Sequence, residues 1–399
     1  MGLMLVWRKD GPRKDMDMLN DDVFTELTAW RRYLHRNPEL SGQEAETAAR
    51  VVEMLRATTP DEIIVGLGGH GVAGCYNGRE AGPTVLLRCE LDALPIQELS
   101  TAPHRSSRDG VAHLCGHDGH MAILAGVARW VDENRPLKGR VVLLFQPAEE
   151  DGSGAAKVIA DPKFAAITPD VALSLHNMPG IPKDHAAIEV GPMACASRGM
   201  KVVLTGRTAH ASQPETGVSP AFAISELIPA LTSLATHGRP QDPSFTLATV
   251  THVRIGEAAF GIAPAHAELW VTLRTQQDAT MDALVARAEG LVTAAASKFG
   301  LGVEITYHDV FHHCMNAPEA SAILETAIMS EGLTPVRGYL PMRASEDFGR
   351  FGHVSNTAIF LLGAGADMPA LHNPDYDFPD ELIKTGANVF IRALQQLVY

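Results

Sequence analysis

The stretch TVLLRC, from Thr84 to Cys89, is almost wholly apolar. A strand with one wet face alternates apolar and polar residues, so an unbroken apolar run predicts a central strand covered on both faces. The same signature recurs in RVVLLFQP, ending at Pro147, and in DVALSLHN, from Asp170 to Asn177. Between the first two lies HMAILAGVARWVDE, whose spacing predicts a helix starting near Asp118. Upstream, residues 20 to 57 carry apolar positions at helical spacing, and NPELSG places Pro and Gly between two helices. The strand-like runs DEIIVGL and GVAGCY follow. Strands alternating with helices predict an α/β domain with a mixed, mostly parallel sheet flanked by helices.

From about Met200 the rhythm changes. MKVVLTG, a helix through SPAFAISELIPALTSLATH, FTLATVTHVRIG, HAELWVTLRT, a helix MDALVARAEGLVTAAASKFG and GVEITYHDV give strand, helix, strand, strand, helix, strand. That is the split βαβ order of a ferredoxin-like α+β sandwich. After about Asn316 the earlier pattern resumes, and NTAIFLLG is another buried strand. The chain therefore divides into a main domain, residues 19–197 and 310–399, and an inserted domain, residues 198–309. Residues 1–18 are expected to form a disordered leader, because the apolar run in MGLMLVWRKDGPRKD is too short for a signal segment and its charges follow it.

Composition narrows the function. With 46 % apolar residues in a chain of 399, a large core is available and disorder is disfavoured. A formal charge of −14 argues against nucleic acid and anionic membrane as partners, since both need a basic face. It suits an enzyme acting on a small molecule, and a solvated acidic surface explains it equally well. The five cysteines are odd in number and show no paired framework, which points to free thiols in a reducing, cytoplasmic setting. No run approaches the ~18 apolar residues of a membrane span.

Four polar clusters fall at or just after the C-terminal ends of apolar strands, where open α/β sheets bind ligands. LCGHDGHMA, from Leu114 to Ala122, crowds Cys115, His117, Asp118 and His120 together. A thiolate and an imidazole two residues apart reach one centre if the backbone bends, which Gly116 permits. Zinc, cobalt, nickel and manganese accept such donors at mixed sites. The alternative is a polar helix start, with Asp118 as N-cap and His120 on the helix face. Taken alone, the stretch leaves both open. FQPAEED sets Glu149 beside Glu150. In extended backbone the two carboxylates would point opposite ways, so that one binds metal while the other takes a proton from water. An acidic, solvated turn is the bland alternative. His176 in LSLHN and His372 in ALHNPDYDF complete the set, although a lone histidine is more often structural. Together these residues offer one thiolate, three imidazoles and a carboxylate for metal, with a second carboxylate as base. That set suits two ions ~3.5–4 Å apart.

The ordered blocks LRCELDALPIQE, LCGHDGHMAIL, LLFQPAEEDGSGA, LHNMPGIP, SEDF and LHNPDYDF resemble those of the aminoacylase/carboxypeptidase-type dinuclear metallopeptidases. They are most similar to the branch of hippurate hydrolases and indoleacetyl-amino-acid amidohydrolases. The resemblance runs from about residue 20 to residue 399. It implies a metal-dependent amidohydrolase that cleaves the C–N bond of a small N-acyl amino acid or related amide, with two divalent ions per subunit. It also implies a homodimer or homotetramer formed through the inserted lid. By the same resemblance Cys115, His117, Glu150, His176 and His372 are the ligands, with Cys115 bridging. Glu149 is the general base that activates water and then protonates the leaving amine. Asp92 orients the site from behind, and His210 in GRTAHASQP supports the oxyanion, often in a neighbouring subunit's site.

Three departures stand out. Glu90 occupies a position usually held by Asp. Thr208-Ala209-His210 replaces the usual Gly-Gly-His. Gly261 replaces an asparagine that helps hold the substrate's carboxylate, whereas Arg274 retains the lid arginine. Gly261 therefore motivates a rival, an aminohydrolase releasing ammonia from an aromatic amine at the same dinuclear site. A second rival is a metal-stabilised small-molecule-binding protein, against which the spare base Glu149 argues, since structural metal sites are closed.

Overall fold

The computed structural model of the chain describes residues 18–236 and 238–399. The expected leader, residues 1–18, lies outside these apart from Met18. An eight-stranded sheet runs in the order Glu62–Leu67, Gly71–Asn77, Lys138–Gln146, Glu80–Glu90, Val171–Pro179, Asn356–Gly365, His185–Ala187 and Thr334–Val336. The four strands from Lys138–Gln146 to Asn356–Gly365 are mutually parallel, and antiparallel pairs occur toward the edges.

TVLLRC explains the layering. Val85, Leu87 and Cys89 join one core with the helices Asp21–Arg36, Ala45–Arg56, His117–Glu133, Pro318–Ser330 and Leu382–Leu397. Leu86 turns to the opposite core, with Val158, Phe164, Phe348 and Phe351. Both faces of this strand are thus covered, as its lack of alternation required. The exception is Arg88, buried beside Leu86's face and matched there by Glu90, Asp347 and Glu346.

A second, antiparallel sheet runs in the order Thr246–Ile255, His266–Thr275, Ala196–Thr205 and Gly302–Phe311. The helices Ala221–Thr232 and Asp278–Phe299 cover one face through Ile224, Leu227, Leu284 and Ala288. Strand order and connection are those of the expected ferredoxin-like lid. Among the described residues no helix is long and apolar enough to cross a membrane.

The helix His117–Glu133 begins where its glycines allow it to. Gly116 takes a left-handed φ of 89° at the N-cap, a conformation that costs glycine little. A Cβ on Gly116 would stand 2.4 Å from Asn177 Oδ1, and one on Gly119 would stand 2.3 Å from the Phe378 ring. The alternative reading of this stretch, with Asp118 as the helix N-cap, is not met. No side chain caps it, and Asp118 lies inside the first turn, fully buried against Arg31 and His35. An ionised carboxylate with two cationic partners at hand is better satisfied there than by helix amides.

Gly119→Ala should cost about 1–3 kcal/mol by overpacking, read as a lower denaturant midpoint with unchanged slope. An unchanged midpoint would mean that Phe378 moves aside freely.

Candidate metal centre

The polar clusters converge at the C-terminal ends of the parallel strands. Asp92 follows Glu80–Glu90, Glu149 and Glu150 follow Lys138–Gln146, and His176 sits within Val171–Pro179. His372 comes from the loop after Asn356–Gly365, and Cys115 and His117 from the start of the adjoining helix. Cys115 Sγ lies 3.4 Å from His176 Nε2. His117 Nε2 is 3.8 Å from Glu150 Oε1, and His372 Nε2 is 3.7 Å from Glu150 Oε2. Two trios of ligand-type atoms result, Cys115–His117–His176 and Cys115–Glu150–His372, each with its atoms within 4.8 Å of one another. Cys115 belongs to both. A further trio joins His117, Glu149 and Glu150.

Two backbone positions are forced to make this arrangement. Ala148 has φ 52° and His372 has φ 67°, left-handed values that cost a residue with a side chain about 1–3 kcal/mol. Glu44 Oε1 accepts from Ala148 N at 2.8 Å, and Leu114 O accepts from His372 N at 2.8 Å. Each bond pins the strained residue. Glu149 and Glu150 form a turn closed by Gly152 N donating to Glu149 O, rather than the extended backbone expected. Their different surroundings come from this turn and not from a strand's pleat.

A shell of partners orients the cluster. His117 Nδ1 donates to the main-chain oxygen of Asp92 at 2.8 Å, with the Asp92 carboxylate 3.5 Å away. Asp92 Oδ2 accepts from Ser41 Oγ at 2.7 Å and from Glu150 N at 2.9 Å. His176 Nδ1 bonds Asn177 O at 2.7 Å, which leaves Nε2 facing Cys115. His120 is not among the two Cys115 trios; it bonds Glu90 at 2.6 Å and Asn177 Oδ1 at 2.5 Å. Glu90 in turn pairs with buried Arg88. Its longer side chain thus reaches both partners.

Charge is concentrated here. Burial, then the charges of Glu346, Glu150 and Asp347, holds Glu149 well above the usual carboxylate range. Burial likewise lifts Glu150 to about 7, against the pull of His117. Burial pushes the Cys115 thiol up, and Glu150 and Glu149 add to it. His176 falls to about 3 through burial and the neighbouring His120. Three buried atoms, His117 Nε2, Glu150 Oε1 and Asp92 Oδ1, have no hydrogen-bond partner among the described residues. Leaving such groups unmatched costs about 1–3 kcal/mol each. A borderline divalent ion accepting nitrogen, sulfur and oxygen donors would satisfy the two that face the cluster, so the residues present fit a metal.

The cluster opens into a cavity of about 390 Å³. Cys115, Glu149, Glu150, His176 and His372 line one side, and Ser197, Gly199, Thr272 and Arg274 of the lid line the other. Arg274 is fixed by donating to Arg343 O and Ser345 Oγ, both at 3.0 Å. His210 and Gly261 are not part of this wall. They sit together at an exposed lid edge, where Ala209–His210 pairs with Ile262–Ala263 and Gly261 O accepts from Ala211 N. Residues that sequence reading left without a role also belong here. Arg88 binds Glu346 and Asp347, and Asp347 N approaches Glu149 Oε1 at 3.4 Å. The SEDF block was the visible signal, but no spacing tied it to Arg88.

Residues 86–396 match the model of peptidase family M20/M25/M40. The chain belongs to this family. It is therefore a hydrolase of carbon–nitrogen bonds. An N-acetyl-L-cysteine deacetylase of Bacillus subtilis is 32% identical over 92% of this chain and 86% of its own. A hippurate hydrolase of Campylobacter jejuni is 29% identical over 93% of this chain and 96% of its own. A solved Bacillus subtilis structure, described as a dinuclear metal binding peptidase from the M20 family, superposes with a TM-score of 0.78. It is 25% identical and covers 95% of this chain and 99% of that one.

Behind the cluster, Asp118 is clamped by Arg31 at 3.1 Å and His35 at 2.9 Å. Burial opposes a charge on His35, yet Asp118 and then Glu98 raise it from 6.5 to about 10. A folded-state value above the unfolded one stabilises fully below about pH 6.5 and is lost as pH rises through about 10. Wild type should therefore exceed His35→Gln in urea midpoint at pH 6, with the gap closing toward pH 10. A gap that widens with pH would contradict a charged His35.

Proposed function

We propose that this chain is a metal-dependent amidohydrolase that cleaves a small N-acyl amino acid or a related amide. One observation carries the reading: Cys115 belongs to two ligand trios at once, and Glu149 lines the same cavity. Two divalent ions, of zinc, manganese, cobalt or nickel, would be held by Cys115, His117 and His176 and by Cys115, Glu150 and His372. When bound, they supply Lewis-acid polarisation of the scissile carbonyl and a lowered pKa for water. Names of relatives that act on acylated amino acids support this substrate class.

Glu149 does the proton work. It lines the cavity and belongs to neither of the two Cys115 trios, which leaves its carboxylate free to act as the base. It takes a proton from water as the oxygen bonds to the carbonyl carbon. It then gives that proton to the nitrogen as the C–N bond breaks, leaving a carboxylate and an amine. Arg274, fixed on the opposite wall, is placed to hold an anionic group of the substrate. His210 would reach a cavity only from a neighbouring subunit, which fits a homodimer or homotetramer joined through the lid. Phe260 and Ile262, exposed beside it, suit such a contact. The five buried, unpaired cysteines suit a cytoplasmic setting. Gly261 lies beside His210 at the same lid edge, outside this chain's own cavity wall, so its departure from asparagine would be felt, like His210, in a neighbouring subunit's site.

Glu149→Gln should keep the wild-type metal content and lose about 10²–10⁴-fold in turnover on a panel of N-acyl amino acids. Normal turnover would remove Glu149 as the base. Release of ammonia from aromatic amines, with no cleavage of any N-acyl amino acid, would overturn the substrate class.

A further inference from the structure

The uncovered face of the lid sheet extends the cavity. Along the strands Ala196–Thr205 and His266–Thr275, successive cross-strand pairs lead away from the metal cluster. Ser197 faces Arg274, Gly199 faces Thr272, and Lys201 faces Trp270. Alternate residues share a face, so these six lie on one surface, opposite the face packed against the lid helices. The first two pairs line the cavity. Gly199 and Thr272, together with Asp309, also line a second recess of about 340 Å³ that ends at Trp270 and Lys201. The two spaces adjoin across Gly199, where only backbone forms the floor on that strand. From the first pair to the third is four residues, roughly 13 Å at ~3.3 Å per residue.

The recess has a defined chemistry. Trp270 is 43 % exposed, yet its ring is held in place. Lys201 Nζ lies 5.4 Å from the ring centroid, the His252 ring is 5.2 Å away, and Trp270 Nε1 donates to Glu268 Oε2 at 3.4 Å. Lys201 is itself paired with Glu268 at 3.4 Å. Its charge is therefore already matched, and the recess offers a fixed aromatic wall rather than an unmatched cation. A flat, neutral aromatic group is the complement of such a wall.

We propose that this recess holds an aromatic arm of the substrate, so that preferred amides carry a ring on an elongated chain at one side of the scissile bond. Cleavage of such amides rests on the amidohydrolase reading, whereas their binding does not. The commitment to substrate over another occupant comes from continuity: the same glycine and threonine line both spaces. Trp270 is a specificity residue under this account and touches no reacting atom.

Binding without turnover tests it. Metal-loaded Glu149→Gln protein would be titrated calorimetrically with N-acetylglycine, N-(6-phenylhexanoyl)glycine and Nα-acetyl-Nε-benzoyl-lysine. The last two place a ring on the acyl side and on the amine side. At least one ringed ligand should bind about tenfold tighter than N-acetylglycine. That gain should vanish in Trp270→Ala and return in Trp270→Phe, with N-acetylglycine as the internal reference in each variant. No gain for either ringed ligand, or a gain that survives Trp270→Ala, overturns the proposal. Turnover by protein with Glu149 intact reports separately. Trp270-dependent binding without cleavage would sink the hydrolase reading and leave the recess standing.

Discussion

Ligand-type atoms buried without a hydrogen bond are the constraint on which this structure turns. His117 Nε2 and Glu150 Oε1 lie 3.8 Å apart, and neither has a hydrogen bond among the described residues. A fold optimised for stability alone would match or remove such groups. Here the backbone instead accepts left-handed residues at Ala148 and His372 to bring more donors to the same place. Strain and unmatched polarity are thus concentrated at one point, the candidate metal centre.

The rest of the main domain holds that point rigid. Parallel strands converge their C-terminal ends on it, and two of its imidazoles have a second residue behind them. Asp92 stands behind His117, Asn177 behind His176, and Arg88 behind the group of Glu90, Glu346 and Asp347. Such partners set the direction of the donor atoms and the basicity of the imidazoles. The Arg31–Asp118–His35 clamp fixes the first turn of the helix that carries His117. The lid adds the opposite wall through Arg274, and its uncovered sheet face carries the cavity on toward Trp270.

Much of this was legible in the sequence, for physical reasons. The apolar run at Thr84 to Cys89 has no alternation, and a strand packed on both faces is its structural consequence. Lid strands alternate, and their order alone specified the sandwich. The convergence of Cys115, His117, Glu150, His176 and His372 was legible because thiol, imidazole and carboxylate recur at successive strand ends. What the sequence hid was non-local or depended on backbone detail. Arg88 and Asp347 meet although they stand 259 positions apart in sequence, and no spacing links them. Asp118 sits where an N-cap would be expected, but buried cations claim it. Glu149 and Glu150 read as strand-like and form a turn. His210 keeps the family's lid histidine and Gly261 departs from its asparagine, yet a single chain leaves both at an exposed edge.

Elemental analysis of purified protein, loaded with zinc, manganese, cobalt or nickel and then dialysed, gives the metal stoichiometry. The shared position of Cys115 between two donor trios predicts two divalent ions per chain in the wild type and fewer in Cys115→Ala. One ion or none in the wild type, or two retained when Cys115 is replaced, would contradict it.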